Sequence, residues 1–443
     1  MYSEDILGFM KRHRISVGDI VRAEYDGIAV EGELMPKTEA GSPDTVVIKL
    51  KSGYNVGLDF SRVRLTRVAQ GSPPKPFPKS SPTAGRGLPK VSLIYTGGTI
   101  GSKLDYRTGG VHMLLEPEEL FYEVPELSRI ADIKVSNPFS MSSEDMASLE
   151  WQAIAKEIAS ELNSGARGVV VTIGTDTMHY AAAALSFMLQ EPNAPVVLTG
   201  AQRSSDRGAS DAFVNLICSA HIAASSDISG VGICMHSSSS DDMCHFLSGV
   251  KSRKMHSSRR DAFRPINGRP IAHAWKDGRI EYIGTHRTIS GKRQKVVPKT
   301  AFESRVALVK AYPGSDPGVI GFYVKKGCRG IIIEGTGLGH APVSPSEKEN
   351  SWLQHIKDAI DSGVVVGMTT QAIYGRVNAN VYRNLRMLSA AGAVYCEDML
   401  PETAYVKLGW LLGNYSAREA TGMLVKNMVG EISQRLELGD FLV

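Results

Sequence analysis

Two threonines carried on glycine turns are the residues in this sequence best suited to covalent chemistry. The run Tyr95-Thr96-Gly97-Gly98-Thr99-Ile100-Gly101 follows the apolar segment VSLIY, and Gly174-Thr175-Asp176-Thr177 follows the apolar segment GVVVTI. A Thr hydroxyl on such a turn acts as a nucleophile when a base takes its proton; the glycines let a substrate approach the backbone while the turn aims the side chain outward. Plainer duties fit the same residues. A Thr packs or caps, and Asp176 or Thr177 can cap the helical pattern that starts at Met178. Phosphate readings fail, because GxGxxG requires another spacing and no Gly-Lys-Ser/Thr follows. Two strand-end threonines in one parallel sheet converge on one cleft, which gives the pair more weight than either alone.

The elements that must position them are short buried strands. VSLIY, GVVVTIG, APVVLTG and GVGICM are continuous apolar runs, each followed by a Gly/Thr/Ser/Asp loop and then by helical periodicity. Runs of this kind read as fully buried parallel strands, so residues 91–290 are expected to form a doubly wound α/β domain. A second α/β set starts at RVALVKAYPG and continues through GCRGIIIEGTG, SWLQHIKDAIDSG and VVVGMTTQ to helices near ETAYVKLGWLLG. A smaller α/β domain is expected over 300–443.

Residues 1–70 have a different texture. GDIVRAEY, IAVEGELM, TVVIKLKSG, YNVGLDF and SRVRLTRV alternate with turn residues, and Asp26-Gly27 is a hairpin signal. Five short strands in so few residues suggest a small SH3-like β-barrel. Residues 71–90 are rich in Pro, Gly and Lys/Arg, a composition that forms an extended linker rather than a core.

Composition sets limits on function. The 443 residues carry 50 Lys plus Arg against 46 Asp plus Glu, a net charge of +4, which excludes a polycation that binds nucleic acid by bulk charge. Five scattered cysteines with no CxxC pair argue against a disulfide framework or a thiolate zinc site, and no metal is expected. The start of the chain has acids before bases and no apolar h-region, and no run of 18 apolar residues occurs, so a cytoplasmic protein without a membrane role is expected. One segment, 236–264, does gather bases: Lys251, Arg253, Lys254, Arg259 and Arg260 lie beside His236, His245 and His256. It reads either as a solvated basic loop or as a surface that faces a partner or touches phosphates.

Taken in order, TGGTIG, Tyr106 in DYRTGG, SSEDM at 142–146, GTDT at 174–177 and VKSRK ending at Lys254 resemble the bacterial-type L-asparaginase family over about 91–443. The added barrel, tether and basic segment resemble a narrower group within it, the D subunits of archaeal glutamyl-tRNA(Gln) amidotransferases. The resemblance implies an asparaginase-like two-domain α/β core. It also implies that Thr99 is the nucleophile, that Tyr106 lies over it, and that Thr175, Asp176 and Lys254 complete the catalytic group. Ser143 and Glu144 fall where the family holds the substrate's α-carboxylate and α-amino groups; a glutamine is usual at the second place, so Glu144 is a departure.

Physical chemistry adds conditions to those roles. Lys254 accepts a proton through Thr175 only when neutral; burial favours that form and the Asp176 carboxylate opposes it. Backbone N–H groups at the Gly98 and Gly174 turns are candidate oxyanion donors. The expected reaction is hydrolysis of glutamine or asparagine to acid and ammonia through an ester on Thr99. The resemblance further implies an E subunit that uses the ammonia, with ATP and Mg²⁺, to convert Glu-tRNA(Gln) to Gln-tRNA(Gln). No cofactor is expected on this chain, tRNA(Gln) is expected mainly on the partner, and two D with two E subunits around a D homodimer form the expected assembly. Two rivals are a free-standing cytoplasmic L-asparaginase and a catalytically inactive scaffold that binds RNA or protein.

Overall fold

The structure is a computed structural model describing residues 2–37, 42–51, 54–71, 87–104, 111–113, 124–205, 209–291 and 294–441. The N-terminal module contains β1 (Ile20–Tyr25), β2 (Ile28–Leu34), β3 (Thr45–Leu50), β4 (Asn55–Asp59) and β5 (Val63–Ala69). They form an antiparallel sheet in the order β4-β3-β2-β1-β5. Asp26 and Gly27 both take left-handed φ values, 46° and 79°, the requirement of the tight two-residue hairpin that the Asp-Gly pair predicts. Among the described residues β4 and β5 do not pair, so the hydrogen-bonded ladder is open where the SH3-like reading has a closed ring. A helix over Glu4–Arg12, absent from the sequence reading, lays Ile6 and Met10 onto this core, and the Tyr2 hydroxyl donates to the Met35 carbonyl at 2.6 Å.

The chain then enters β6 (Lys90–Tyr95), the hairpin of β7 (Ser102–Leu104) with β8 (Val111–Met113), and β9 (Asp132–Ser136). β10 (Gly168–Thr172), β11 (Pro195–Thr199) and β12 (Gly230–His236) follow, separated by helices Ser148–Asn163, Met178–Leu189 and Ala212–Ser225. β9, β6, β10, β11 and β12 lie side by side in parallel. Every residue of β10 and β11 is buried, because helices cover both faces, and this is why the sequence shows unbroken apolar runs there. The sheet continues through antiparallel β13 (Met243–Ser248), while β14 (Ser252–Lys254) and β15 (Phe263–Pro265) form a separate hairpin. β16 (Ala272–Trp275) and β17 (Ile280–Tyr282) complete the eight strands. These antiparallel elements were not legible in sequence: they are short, mostly half-exposed and mixed in polarity.

The C-terminal unit is a four-stranded parallel sheet of β18 (Val306–Lys310), β19 (Gly330–Gly335), β20 (Val365–Thr370) and β21 (Val394–Tyr395). The fold is therefore the expected pair of α/β units after a β-rich module. Helix Pro401–Asn414 joins the two units. It packs on helix Met178–Leu189 along one side and on β19 along the other, and one apolar cluster runs from Val171 and Phe187 through Trp410 and Leu408 to Ile332. Trp410 stacks on Phe187 with ring centroids 5.9 Å apart. Among the described residues no helix is long and apolar enough to cross a membrane.

The same helix buries a charge. Lys407 Nζ lies 2.6 Å from Glu431 Oε1, both side chains fully enclosed, and donates to the carbonyls of Leu424 and Lys426 at 2.9 and 2.6 Å. Glu431 accepts from the backbone N–H of Met428 and Val429. The pair ties the 424–431 segment to the helix between the two units. Lys407→Met leaves Glu431 buried and unpaired and is expected to cost about 3–5 kcal/mol in a denaturant melt. The double variant Lys407→Met/Glu431→Leu is expected to recover most of that loss, since it removes both charges.

Candidate active site

The TGGT and GTDT turns leave neighbouring parallel strands, with Tyr95 paired to Thr172 in the β6–β10 register. The turns then meet backbone to backbone. A β-carbon at Gly98 would stand 2.6 Å from the Gly174 nitrogen, and Gly98 has a φ of +87°, a conformation that L side chains rarely adopt. Gly174 is equally confined: a β-carbon there would lie 2.8 Å from Ser143 Cβ and Oγ. The residues following the two glycines, Thr99 and Thr175, are thereby brought to one rim of the sheet.

The two threonines of TGGT have separate fates. Thr96 is fully buried and donates its hydroxyl to the Thr172 carbonyl at 2.8 Å, a structural duty. Thr99 starts a 3-10 turn and is half-buried. Tyr106 lies outside the described residues.

Thr175 is buried and accepts a hydrogen bond of 2.9 Å from Lys254 Nζ. The same nitrogen donates to Asp176 Oδ1 at 2.6 Å. The Lys254 side chain is 9% exposed and that of Asp176 67%, so the lysine is enclosed and the carboxylate reaches it from the open side. Neither residue after Thr175 caps the helix. Thr177 donates to the Ser143 carbonyl at 2.5 Å, and Asp176 is engaged by Lys254, which decides against the capping reading. Ser143 is buried and Glu144 exposed on the 3-10 turn Ser143–Asp145, which Thr177 and Gly174 hold against the GTDT loop.

Sequence reasoning named Arg253 among the bases around Lys254 and missed two residues that meet it here, Glu402 and His179. Arg253 Nη2 lies 2.9 Å from Glu402 Oε1, and His179 Nε2 lies 3.9 Å from the same oxygen. With Asp176 and Lys254 they line a cleft of about 390 Å³. Burial, then the charges of Arg253 and Lys254, pushes the His179 pKa down to about 4, so the imidazole is neutral at pH 7. Burial pushes the Glu402 carboxyl up and Arg253 pulls it down. No spacing signal links Glu402 to Arg253, because about 150 residues separate them. A larger cleft of about 740 Å³ opens near Gly230, at the start of β12 and hence at the opposite edge of the parallel sheet from the threonines.

The basic segment is not a bare cationic surface. Lys251 pairs with Asp398, Arg259 and Arg264 with Asp261, and Arg260 with Asp241. The bidentate Arg259 contact leads the interactions that hold the Asp261 carboxyl down to about 2. These cations are neutralised from within the fold, so among the described residues the segment presents no cluster of unpaired charge for phosphates.

Comparison with known proteins gives three family models along the chain: a GatD N-terminal domain over 15–68, an asparaginase N-terminal domain over 90–287, and a glutaminase/asparaginase C-terminal domain over 305–423. The D subunit of glutamyl-tRNA(Gln) amidotransferase from Pyrococcus abyssi is 47% identical over 446 aligned residues, covering 98% of this chain and 99% of its own. That of Methanothermobacter thermautotrophicus is 43% identical, with 98% of each chain covered. Among solved structures, the thermostable L-asparaginase of Thermococcus kodakarensis matches with a TM-score of 0.68 at 27% identity, covering 78% of this chain and 100% of its own. L-asparaginase I of Vibrio cholerae matches with a TM-score of 0.67 at 30% identity and the same coverage.

Two outcomes follow from the geometry. Gly98→Ala is expected to lose about 1–3 kcal/mol from its positive φ alone, with the overlap on Gly174 adding to it, as read from a thermal melt. For His179, the unfolded chain takes up its proton near pH 6.5 and the folded one near 4, so stability is complete above about 6.5 and falls as the pH drops towards 4. His179→Phe is expected to flatten the dependence of melting temperature on pH in that window.

Proposed function

Since the chain belongs to the family of glutamyl-tRNA(Gln) amidotransferase D subunits, we propose that it is an amidase whose ammonia is consumed by a separate partner subunit. The observation that carries this reading is the Lys254 hydrogen bond to Thr175, beside the glycine contact that brings the Thr99 turn to the same rim. The module at 15–68 has a family model of its own, and asparaginase structures matched over their whole length cover only 78% of this chain. Both facts favour a subunit over a free-standing asparaginase.

In the proposed reaction the Thr99 hydroxyl oxygen attacks the side-chain amide carbon of glutamine or asparagine. Its proton passes through Thr175 to a neutral Lys254, with Asp176 orienting the amine. The charge that develops on the carbonyl oxygen is met by backbone donors at the Gly98 and Gly174 turns, a contribution of about 3 kcal/mol per donor in comparable acyl transfers. The C–N bond breaks, ammonia leaves with the returned proton, and water hydrolyses the Thr99 ester to the acid. Ser143 and Glu144 are assigned the α-carboxylate and α-ammonium of the substrate, Glu144 adding a negative charge for the ammonium. Tyr106 is assigned the cover over Thr99. ATP, Mg²⁺ and most of the contact with tRNA(Gln) are assigned to the partner E subunit, in an assembly of two D and two E chains.

The purified chain is expected to release ammonia from glutamine or asparagine weakly, and faster when the partner subunit and Glu-tRNA(Gln) are added. Thr99→Ala, Thr175→Val and Lys254→Ala are each expected to lower kcat by ~10³-fold or more in a coupled ammonia assay. Vigorous asparaginase activity indifferent to partner and tRNA would replace this reading with that of a free asparaginase. Ammonia release unchanged in Thr99→Ala would end the amidase reading altogether.

A further inference from the structure

We infer that Glu402 and Asp398, from the C-terminal unit, are positioning residues that set the place of Lys254. This rests on the proposed proton-handling role of Lys254. The segment 250–254 runs along the boundary of the two α/β units, and within its strand, Ser252–Lys254, successive side chains turn to opposite sides. Lys251 pairs with Asp398, and Arg253 pairs with Glu402 at 2.9 Å. Lys254, on the opposite face from Arg253, reaches Thr175 and Asp176. The Thr403 hydroxyl holds the backbone just before Lys251 by donating to the Val250 carbonyl at 3.0 Å. Asp398, Glu402 and Thr403 thus hold Lys251, Arg253 and the Val250 carbonyl, in and just before the strand whose last residue is Lys254.

Both carboxylates are themselves immobilised. Asp398 is fully enclosed, accepts the Ser433 N–H on its other oxygen at 2.9 Å, and its backbone carbonyl receives the Asn267 amide at 3.1 Å. Glu402 sits in the first turn of helix Pro401–Asn414, where a negative charge is favoured, and is 4% exposed. Its second oxygen has no hydrogen-bond partner among the described residues, so Arg253 supplies its closest charged contact. A buried carboxylate kept in this state works on Arg253 and, through the backbone, on the residue that follows it. Neither acid contacts Lys254 in its ion pair, which makes them positioning residues and not catalytic ones.

The test is Glu402→Gln in the full chain, assayed for ammonia release with the folded fraction measured alongside. Displacement of a proton-transfer group by about 1 Å costs up to ~10²-fold in rate, so kcat per folded molecule is expected to fall about 10- to 100-fold while KM changes less than about threefold. Glu402→Asp is expected to restore part of the loss, and a crystal structure of Glu402→Gln is expected to show Lys254 Nζ beyond hydrogen-bonding distance of Thr175. Should Glu402→Gln not fold, Arg253→Met breaks the same contact at a partly exposed side chain and carries the same expectations. An unchanged kcat per folded molecule, with only a lower melting temperature, overturns the inference. So does a variant crystal structure that keeps the Lys254 to Thr175 contact. If the unaltered chain shows no Thr99-dependent ammonia release, the amidase reading falls, and the position of Lys254 in the variant crystal still decides this inference.

Discussion

The close approach of two glycine turns is the constraint on which the site depends. Parallel strands stand about 4.8 Å apart, and backbones leaving them can approach each other closely only where no side chain stands between, as at glycine. Here the Gly98 and Gly174 backbones touch, and Gly174 in turn touches Ser143. Three loops from β6, β9 and β10 are stacked with no side chain between the glycines, so the TGGT turn, the GTDT turn and the Ser143 turn lie against one another. Thr177 strengthens the stack by directing its hydroxyl to the Ser143 carbonyl rather than to its own helix.

Around that contact the electrostatics are arranged across the fold. Lys254 is held by Asp176, Arg253 by Glu402 and Lys251 by Asp398, while Asp261, paired with Arg259 and Arg264, and Asp241, paired with Arg260, lie within the segment itself. A segment that looks cationic in isolation is therefore a joint between two α/β units, neutralised by two acids of its own and by three that arrive from distant parts of the chain. Helix Pro401–Asn414 is the common element: its apolar side completes a core shared by both sheets, its first turn supplies Glu402, and Lys407 anchors the following segment. Packing and ion pairing act here on the same helix, so a change at either is felt at both.

Much of the architecture was legible because the physics that makes a buried parallel strand also writes a recognisable pattern. β6, β10, β11, β12, β18, β19 and β20 each coincide with an unbroken apolar run, and the Asp26-Gly27 turn has the left-handed dihedrals its residue types foretell. The short antiparallel strands from β13 to β17 carry no such pattern, because their faces are only partly covered. The helix over Glu4–Arg12 was likewise hidden in a charged segment whose buried residues, Ile6 and Met10, are few.

The sequence by itself determined the glycine turns, the threonines on them and the order of the strands that carry them, since those depend on local conformation and on apolar periodicity. It left open whether Asp176 and Thr177 cap a helix or serve a site, and whether the bases near Lys254 face solvent. Long-range contacts settle those points. Hydrogen bonds such as Lys254 to Thr175, 79 residues apart, and ion pairs such as Lys251 to Asp398, 147 residues apart, arise from which strand ends and helix starts the fold brings together, and no local preference encodes that distance.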